Sequence, residues 1–133
     1  MEQNLKELLL KDLCARLPYG VKVQPSGSAS PHKFVGYDKG LARIDIDQRF
    51  ELENIKPYLR PMSSMTEKEC IELGNINATI ENISEVIPNV PYYIEVAYSK
   101  QIDWLNAHHF DYRGLIEKGL AIKVTKENNP YKE

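Results

Sequence analysis

The stretch KFVGYDKGLARIDIDQRFELE, residues 33–53, decides the fold. Apolar and polar residues alternate through it with period two, the spacing at which successive side chains leave opposite faces of a β-strand. Lys33 to Tyr37 and Leu41 to Ile46 therefore read as strands joined through Asp38-Lys39-Gly40, where glycine supplies the positive φ of a three-residue hairpin loop. In the second strand Ala42, Ile44 and Ile46 fall on one face and Arg43, Asp45 and Asp47 on the other. A reversal near Asp47-Gln48 leads into Arg49 to Glu53, where Phe50 and Leu52 alternate with charged neighbours. The expected product is a three- or four-stranded antiparallel meander with one buried face, open or curled into a small SH3-like barrel. Asp45, Asp47, Glu51 and Glu53 alternate with apolar residues, which makes them the solvated face of that sheet rather than a cation ligand set.

On the N-terminal side, Leu5, Leu9, Leu13 and Leu17, with Leu8 and Leu10 beside them, recur at the spacing of an amphipathic helix that Pro18-Tyr19-Gly20 stops. A short strand from Val21 to Gln24 follows. Residues 25–32 are small and polar and read as a flexible loop; they lack the Gly-Lys-Ser/Thr ending of a phosphate-binding loop. On the C-terminal side, Pro57 and Pro61 remove backbone donors from IKPYLRPMSSMT, residues 55–66, which reads as an ordered surface connection. Thr66 and Glu69 then form a capping box for a helix to Leu73, closed by Gly74. Ile76, Ile80, Ile83 and Ile87 repeat at helical spacing, and a homodimer is expected if that stripe is exposed. Val90, Tyr92, Ile94 and Val96 alternate as a strand would. Ser99 opens a helix carrying Trp104 and Leu105 that ends near His109, Asp111 caps a second short helix from Tyr112 to Lys118, and Gly119 stops it. Leu120, Ile122 and Val124 form a last strand before a polar tail, residues 125–133.

The fold class expected is thus α+β, a single domain over residues 1–133: an N-terminal helix, the meander, then helices and two further strands. The chain is 133 residues long, 42% apolar and 27% charged, which suits one globular core. A net charge of −2 excludes generic nucleic-acid coating. No leader and no membrane span is legible, and two cysteines without Cys-x-x-Cys spacing suit a cytoplasmic protein.

Chemistry-bearing residues concentrate in IDWLNAHHFDYRGLIEKGLA, residues 102–121. His108, His109, Asp111 and Arg113 are poorly spaced for a metal, because adjacent helical residues point about 100° apart, and no metal or cofactor is expected. No serine or cysteine nucleophile is tied to the His/Asp pair by spacing, so no catalytic residue is assigned. Trp104, His108, His109, Asp111, Tyr112 and Arg113, with Tyr58 and Arg60, are the candidate binding residues, since exposed aromatic and arginine side chains anchor contacts. Three segments, LLLKDLCARLPYGVKV at 8–23, IKPYLRPMSSMT at 55–66 and IDWLNAHHFDYRGLIEKGLA at 102–121, resemble small uncharacterised proteins of phages, prophages and mobile elements of gut anaerobic bacteria. That resemblance implies a bacterial cytoplasmic setting and an accessory role by non-enzymatic binding of a host or phage protein, such as countering a host defence. Two alternatives stand beside it. One is binding or sequestering of a nucleotide or cyclic nucleotide, through stacking on Tyr58 or Tyr112 and phosphate contacts to Arg60 or Arg113. The other is a small hydrolase using His108 or His109 with Asp111.

Overall fold

The leucine repeat folds as helix α1, Gln3–Arg16, in a computed structural model that describes residues 2–75 and 91–131. Its buried stripe is Leu9, Asp12, Leu13 and Arg16, an i, i+3, i+4, i+7 set that puts an acid and a base on the core side beside two leucines. A 3-10 turn, Leu17–Tyr19, continues the helix, and Gly20 closes it in the left-handed region at φ 70°.

The alternating stretch delivers the meander. Strands β1 (Lys22–Pro25), β2 (His32–Asp38), β3 (Leu41–Ile44), β4 (Arg49–Phe50), β5 (Ile55–Leu59) and β6 (Ile122–Lys123) form one sheet in the order β4-β3-β2-β1-β5-β6. All pairs are antiparallel except β5 with β6. The first four strands run as a meander, and a 3-10 turn at Leu52–Asn54 carries the chain from β4 to β5, which returns beside β1. Among the described residues no ladder joins β4 to β5, so the sheet is open. The β2–β3 hairpin has two loop residues rather than three: Asp38 pairs with Leu41, and Lys39 and Gly40 both have positive φ, at 52° and 79°. That is the type I′ geometry, whose twist matches the strands it joins. A register shift between Phe34 and Gly36 leaves Val35 as a bulge and sets Tyr37 opposite Ala42, where it stays exposed at the end of the strand. Ile46 does not share that face. It sits 50% exposed in the β3–β4 turn, because β3 ends at Ile44.

Residues 55–59 are not a surface connection but an interior strand, β5, and the ladder explains how it tolerates Pro57. The Ser26 N–H donates to the Asn54 carbonyl at 2.7 Å, so Gln24 and Lys56 are the bonded pair of the antiparallel ladder. Val23 and Pro57, next in register, are the non-bonded pair, with nitrogens turned away from each other. The missing donor of Pro57 faces the other side of β5, where β6 begins only opposite Tyr58.

The capping box forms as its spacing requires. The Thr66 N–H donates to Glu69 Oε1 at 2.9 Å and the Glu69 N–H to Thr66 Oγ1 at 3.2 Å. Helix α2 covers residues 67–75, so Gly74 lies within it rather than ending it. Helix α3, Pro91–Ala107, replaces the strand expected from the alternation beginning at Val90 and contains Ser99, which therefore caps nothing. β-Branched and aromatic residues gave that segment a strand-like period, but Pro91 suits a first helical turn, where its missing N–H has no partner to lose. Of the two further strands only β6 is found among the described residues. The isoleucine repeat from Ile76 to Ile87 lies outside them. The core is one cluster in which Leu9 and Leu13 of α1 meet Val21, Val23, Phe34, Ile44, Ile55 and Leu59 of the sheet and Leu115 and Leu120 of the C-terminal segment.

Candidate functional site

The C-terminal end of α3 shapes the candidate site. The Phe110 N–H donates to the Leu105 carbonyl at 3.0 Å and the His109 N–H to the Asn106 carbonyl at 3.1 Å. This crossed pair is a Schellman closure with His109 in the position usually held by glycine, at φ 63°. A left-handed histidine costs about 1–2 kcal/mol against glycine. The closure throws residues 109–111 across the sheet edge. There Arg60 donates its N–H to the His109 carbonyl at 2.8 Å and accepts from the Asp111 N–H at 2.9 Å, as a parallel bridge beyond the end of β5.

Around this bridge the expected contact residues form two groups. In the first, Arg60 makes a forked ion pair with Glu69, at 2.6 and 2.7 Å, and lies 4.1 Å from the centroid of Phe110. Phe110 stacks on Trp104, whose indole N–H donates to Glu72 at 3.2 Å, and Trp104 covers His108 with ring centroids 4.2 Å apart. His108 Nδ1 is 3.6 Å from the same Glu69. The Arg60 guanidinium, against the effect of burial and with help from Thr66, holds the Glu69 carboxyl down to about 2.

The second group reaches into α1. Fully buried Asp12 accepts from Arg16 at 2.8 Å through one oxygen and from Arg113 at 2.8 Å through the other. Arg16 also donates to the Phe110 carbonyl, and Arg113 lies over Tyr112, 4.5 Å from its centroid. The Tyr112 hydroxyl donates to buried Asn106 at 2.8 Å. Asp111 accepts from the Leu115 and Ile116 N–H groups at 2.9 Å each, so it does act as a cap. The segment it caps is a turn, not a helix over 112–118. Gly114 at φ 76° interrupts that segment and Gly119 at φ 73° closes it, leaving too few residues between the cap and the stop.

Tyr58 joins this region through its backbone. Its ring is buried and its hydroxyl donates to Gln24 at 2.7 Å. The next pair of the β1–β5 ladder, Lys22 with Tyr58, is spanned by a side chain from the C-terminal tail. The Lys22 N–H donates to the Tyr131 hydroxyl at 2.9 Å, and that hydroxyl donates to the Tyr58 carbonyl at 2.7 Å. The Tyr131 ring stacks on His109. Burial pushes the Tyr131 phenol well above the ordinary tyrosine range, and burial, with the charges of Arg16, His108 and Arg60, pulls His109 down to about 4. His109 is thus neutral at pH 7.

Asp12, Arg16, Glu69 and Tyr131 belong to this network and were not among the expected residues. Asp12 and Arg16 could have been found, because they share the leucine face of α1 at i, i+4. Nothing local marks Tyr131, which lies in a polar tail. What the network leaves open is a concavity of about 520 Å³ beside it, lined by Met62, Tyr112, Ile116, Glu117 and Lys123 among others. The four arginine and tyrosine side chains considered for a nucleotide are engaged with Glu69, Asp12, Asn106 and Gln24. Asp111 is spent on two backbone donors, which takes it from the His/Asp pair. Among the described residues no cluster of ligating side chains could hold a metal ion, and no helix is long and apolar enough to cross a membrane. The chain matches no protein-family model, no curated protein and no solved structure.

Proposed function

We propose that the protein acts by binding, as a cytoplasmic phage or mobile-element accessory protein whose occupant is a host or phage protein. The concave face between residues 61–63 and the 111–117 turn would be the contact surface. The observation that carries this reading is the 520 Å³ concavity itself. Met62, 41% exposed, and Ile116 give it an apolar floor, while Glu117 and Lys123 supply charges of both signs at its margin. An apolar centre with a polar rim is the composition of a contact patch. Both walls are hydrogen-bonded in place, one by the Asp111 cap and the other as the 3-10 turn Met62–Ser64, an arrangement that reduces the ordering cost of binding. The resemblance of residues 55–66 and 102–121 to phage-type proteins supports the setting.

Site-specific photo-crosslinking in a host cell tests this reading. A benzophenone side chain at Met62 is expected to give one discrete protein adduct that Lys123→Glu abolishes, whereas the same probe at exposed Ile71 on α2 gives none. No adduct at Met62, or the same adducts from both positions, would overturn it.

A further inference from the structure

We propose a separate chemical site on the opposite reach of the chain: Ser28, His32 and Asp45 form a serine nucleophile, general base and positioning carboxylate that hydrolyse a small carboxylic ester through an acyl-serine intermediate. The geometry is that of a relay. Ser28 Oγ lies 3.4 Å from His32 Nε2, and His32 Nδ1 lies 3.1 Å from Asp45 Oδ1. A carboxylate can only accept, so Asp45 fixes the proton on Nδ1 and leaves the Nε2 lone pair facing the serine hydroxyl. That is the tautomer a general base needs, and the roles rather than the sequence positions define such a triad.

The fold holds each member. His32 begins β2, and the Asp45 N–H donates to the Lys33 carbonyl at 3.0 Å, which seats the end of β3 beside it. Ser28 closes a tight turn in which its N–H donates to the Pro25 carbonyl at 3.2 Å and Gly27 takes φ 82°, while Gln24 donates to the Ser28 carbonyl. At rest the Ser28 hydroxyl is within 3.2 Å of the Ser30 carbonyl, and the Ser30 N–H donates to Oγ at 3.3 Å. Rotation of the hydroxyl proton from Ser30 to His32 prepares attack, with the Ser30 N–H still holding the oxygen. Among the described residues nothing accepts the N–H of Ala29. The amide following a nucleophilic serine is the one positioned to stabilise a developing oxyanion. Ser28 also lines a concavity of about 270 Å³ with Gln24, Lys56, Asn54 and Ile122, which His32 and Asp45 do not reach, so an acyl group held there would meet the triad only through Ser28.

In the first step Ser28 Oγ bonds to the ester carbonyl carbon and its proton passes to His32 Nε2. The carbon–oxygen bond to the alcohol then breaks, and the alcohol leaves with that proton. In the second step water adds to the acyl carbon as His32 takes its proton, the bond to Ser28 breaks, and Ser28 recovers the proton. The sum is ester plus water giving acid plus alcohol. Asp45 touches no reacting atom and acts by orienting His32.

The test treats the full chain with a fluorophosphonate probe and, separately, with p-nitrophenyl acetate. Labelling of Ser28 in peptide maps is expected, with a burst of nitrophenol followed by slower turnover. Ser28→Ala and His32→Ala should lose the label and reduce hydrolysis by about 100-fold. Asp45→Asn should lower kcat and leave KM unchanged, and Asp45→Glu should restore part of the rate, a rescue that mere unfolding of the loop would not give. Ser99→Ala, exposed on α3, should match the wild type. Absence of label, label at another residue, or a Ser28→Ala variant as active as the wild type would overturn the proposal. Circular dichroism of each variant separates loss of chemistry from loss of fold.

Discussion

The rings of Tyr131 and His109 lie parallel, with centroids 3.6 Å apart and planes within 9°. One residue comes from the tail and the other from a left-handed helix closure, so the contact joins two segments that neither helix nor strand hydrogen bonds connect. The same Tyr131 hydroxyl completes the β1–β5 ladder between Lys22 and Tyr58. Tyr131→Phe should therefore keep the stack and orphan one donor and one acceptor, costing about 1–3 kcal/mol. Tyr131→Ala should lose both contributions and cost about 3–5 kcal/mol. Urea unfolding of the two variants checks this. Equal losses would mean that the hydroxyl, not the ring, carries the contact.

The second prediction concerns acid. His109 is held at about 4 in the fold against an ordinary 6.5, so the unfolded chain binds its proton first as pH falls. This contribution is intact above pH 6.5 and is lost progressively between 6.5 and 4. Allowing for solvent screening of the partly open ring, it amounts to about 2 kcal/mol. Glu69, lowered from 4.5 to about 2, adds a second loss that begins only below pH 4.5. His109→Asn, whose side chain tolerates the left-handed backbone, should flatten the dependence of unfolding free energy on pH between 6.5 and 4.5 and leave the steeper fall below 4.5 in place. An unchanged slope in the upper window would assign that acid sensitivity elsewhere.

Lys39 supplies a gain rather than a loss. It occupies the first position of a type I′ turn at φ 52° with Gly40 after it. Asparagine is favoured there, and Lys39→Asn should stabilise the protein by about 0.5–1 kcal/mol without altering contacts, because Lys39 is exposed. A thermal melt that moves upward by a few degrees is the expected result.

These positions show what the chain discloses when read alone. Period-two alternation around Ala42 and Ile44 identified the meander because one face of that sheet is solvated, and the leucine repeat identified α1 for the same reason. β5 escaped because burial of Pro57, Tyr58 and Leu59 in succession erases alternation and Pro57 argues against a strand; only the ladder register shows why Pro57 is admissible. The alternation from Val90 misled because short apolar runs fit either period. At the site, the residues from 102 to 113, with Arg60, were recognisable by type, yet their partners Asp12, Glu69 and Tyr131 are distant in sequence. Asp45 was legible as a solvated acid, whereas Ser28 and His32 fell in the stretch read as a flexible loop, and β2 in fact begins at His32. Nothing but the hairpin register brings them together.

Asp12 presents the sharpest test of buried electrostatics. It sits with no exposed surface between Arg16 and Arg113, one oxygen to each. Arg16 is equally buried, and its Nη1 has no partner among the described residues. Desolvation of two cations and an anion therefore works against the attraction between them. Removing only the anion leaves both cations uncompensated, one of them in the core, so Asp12→Ala should cost about 3–5 kcal/mol. Replacing the pair together, Asp12→Leu with Arg16→Met, removes the two fully buried charges along with their attraction and leaves only the partly exposed Arg113 without its carboxylate. The double variant also fills the stripe shared with Leu9 and Leu13 with apolar side chains. It should be less destabilised than Asp12→Leu alone, and the cycle completed by Arg16→Met alone should give a coupling of opposite sign to the single losses. If the double variant is instead at least as unstable as the single, the Arg16 bond to the Phe110 carbonyl is the dominant contribution. Arg16 would then be what positions the α3 closure, through the main-chain carbonyl of Phe110.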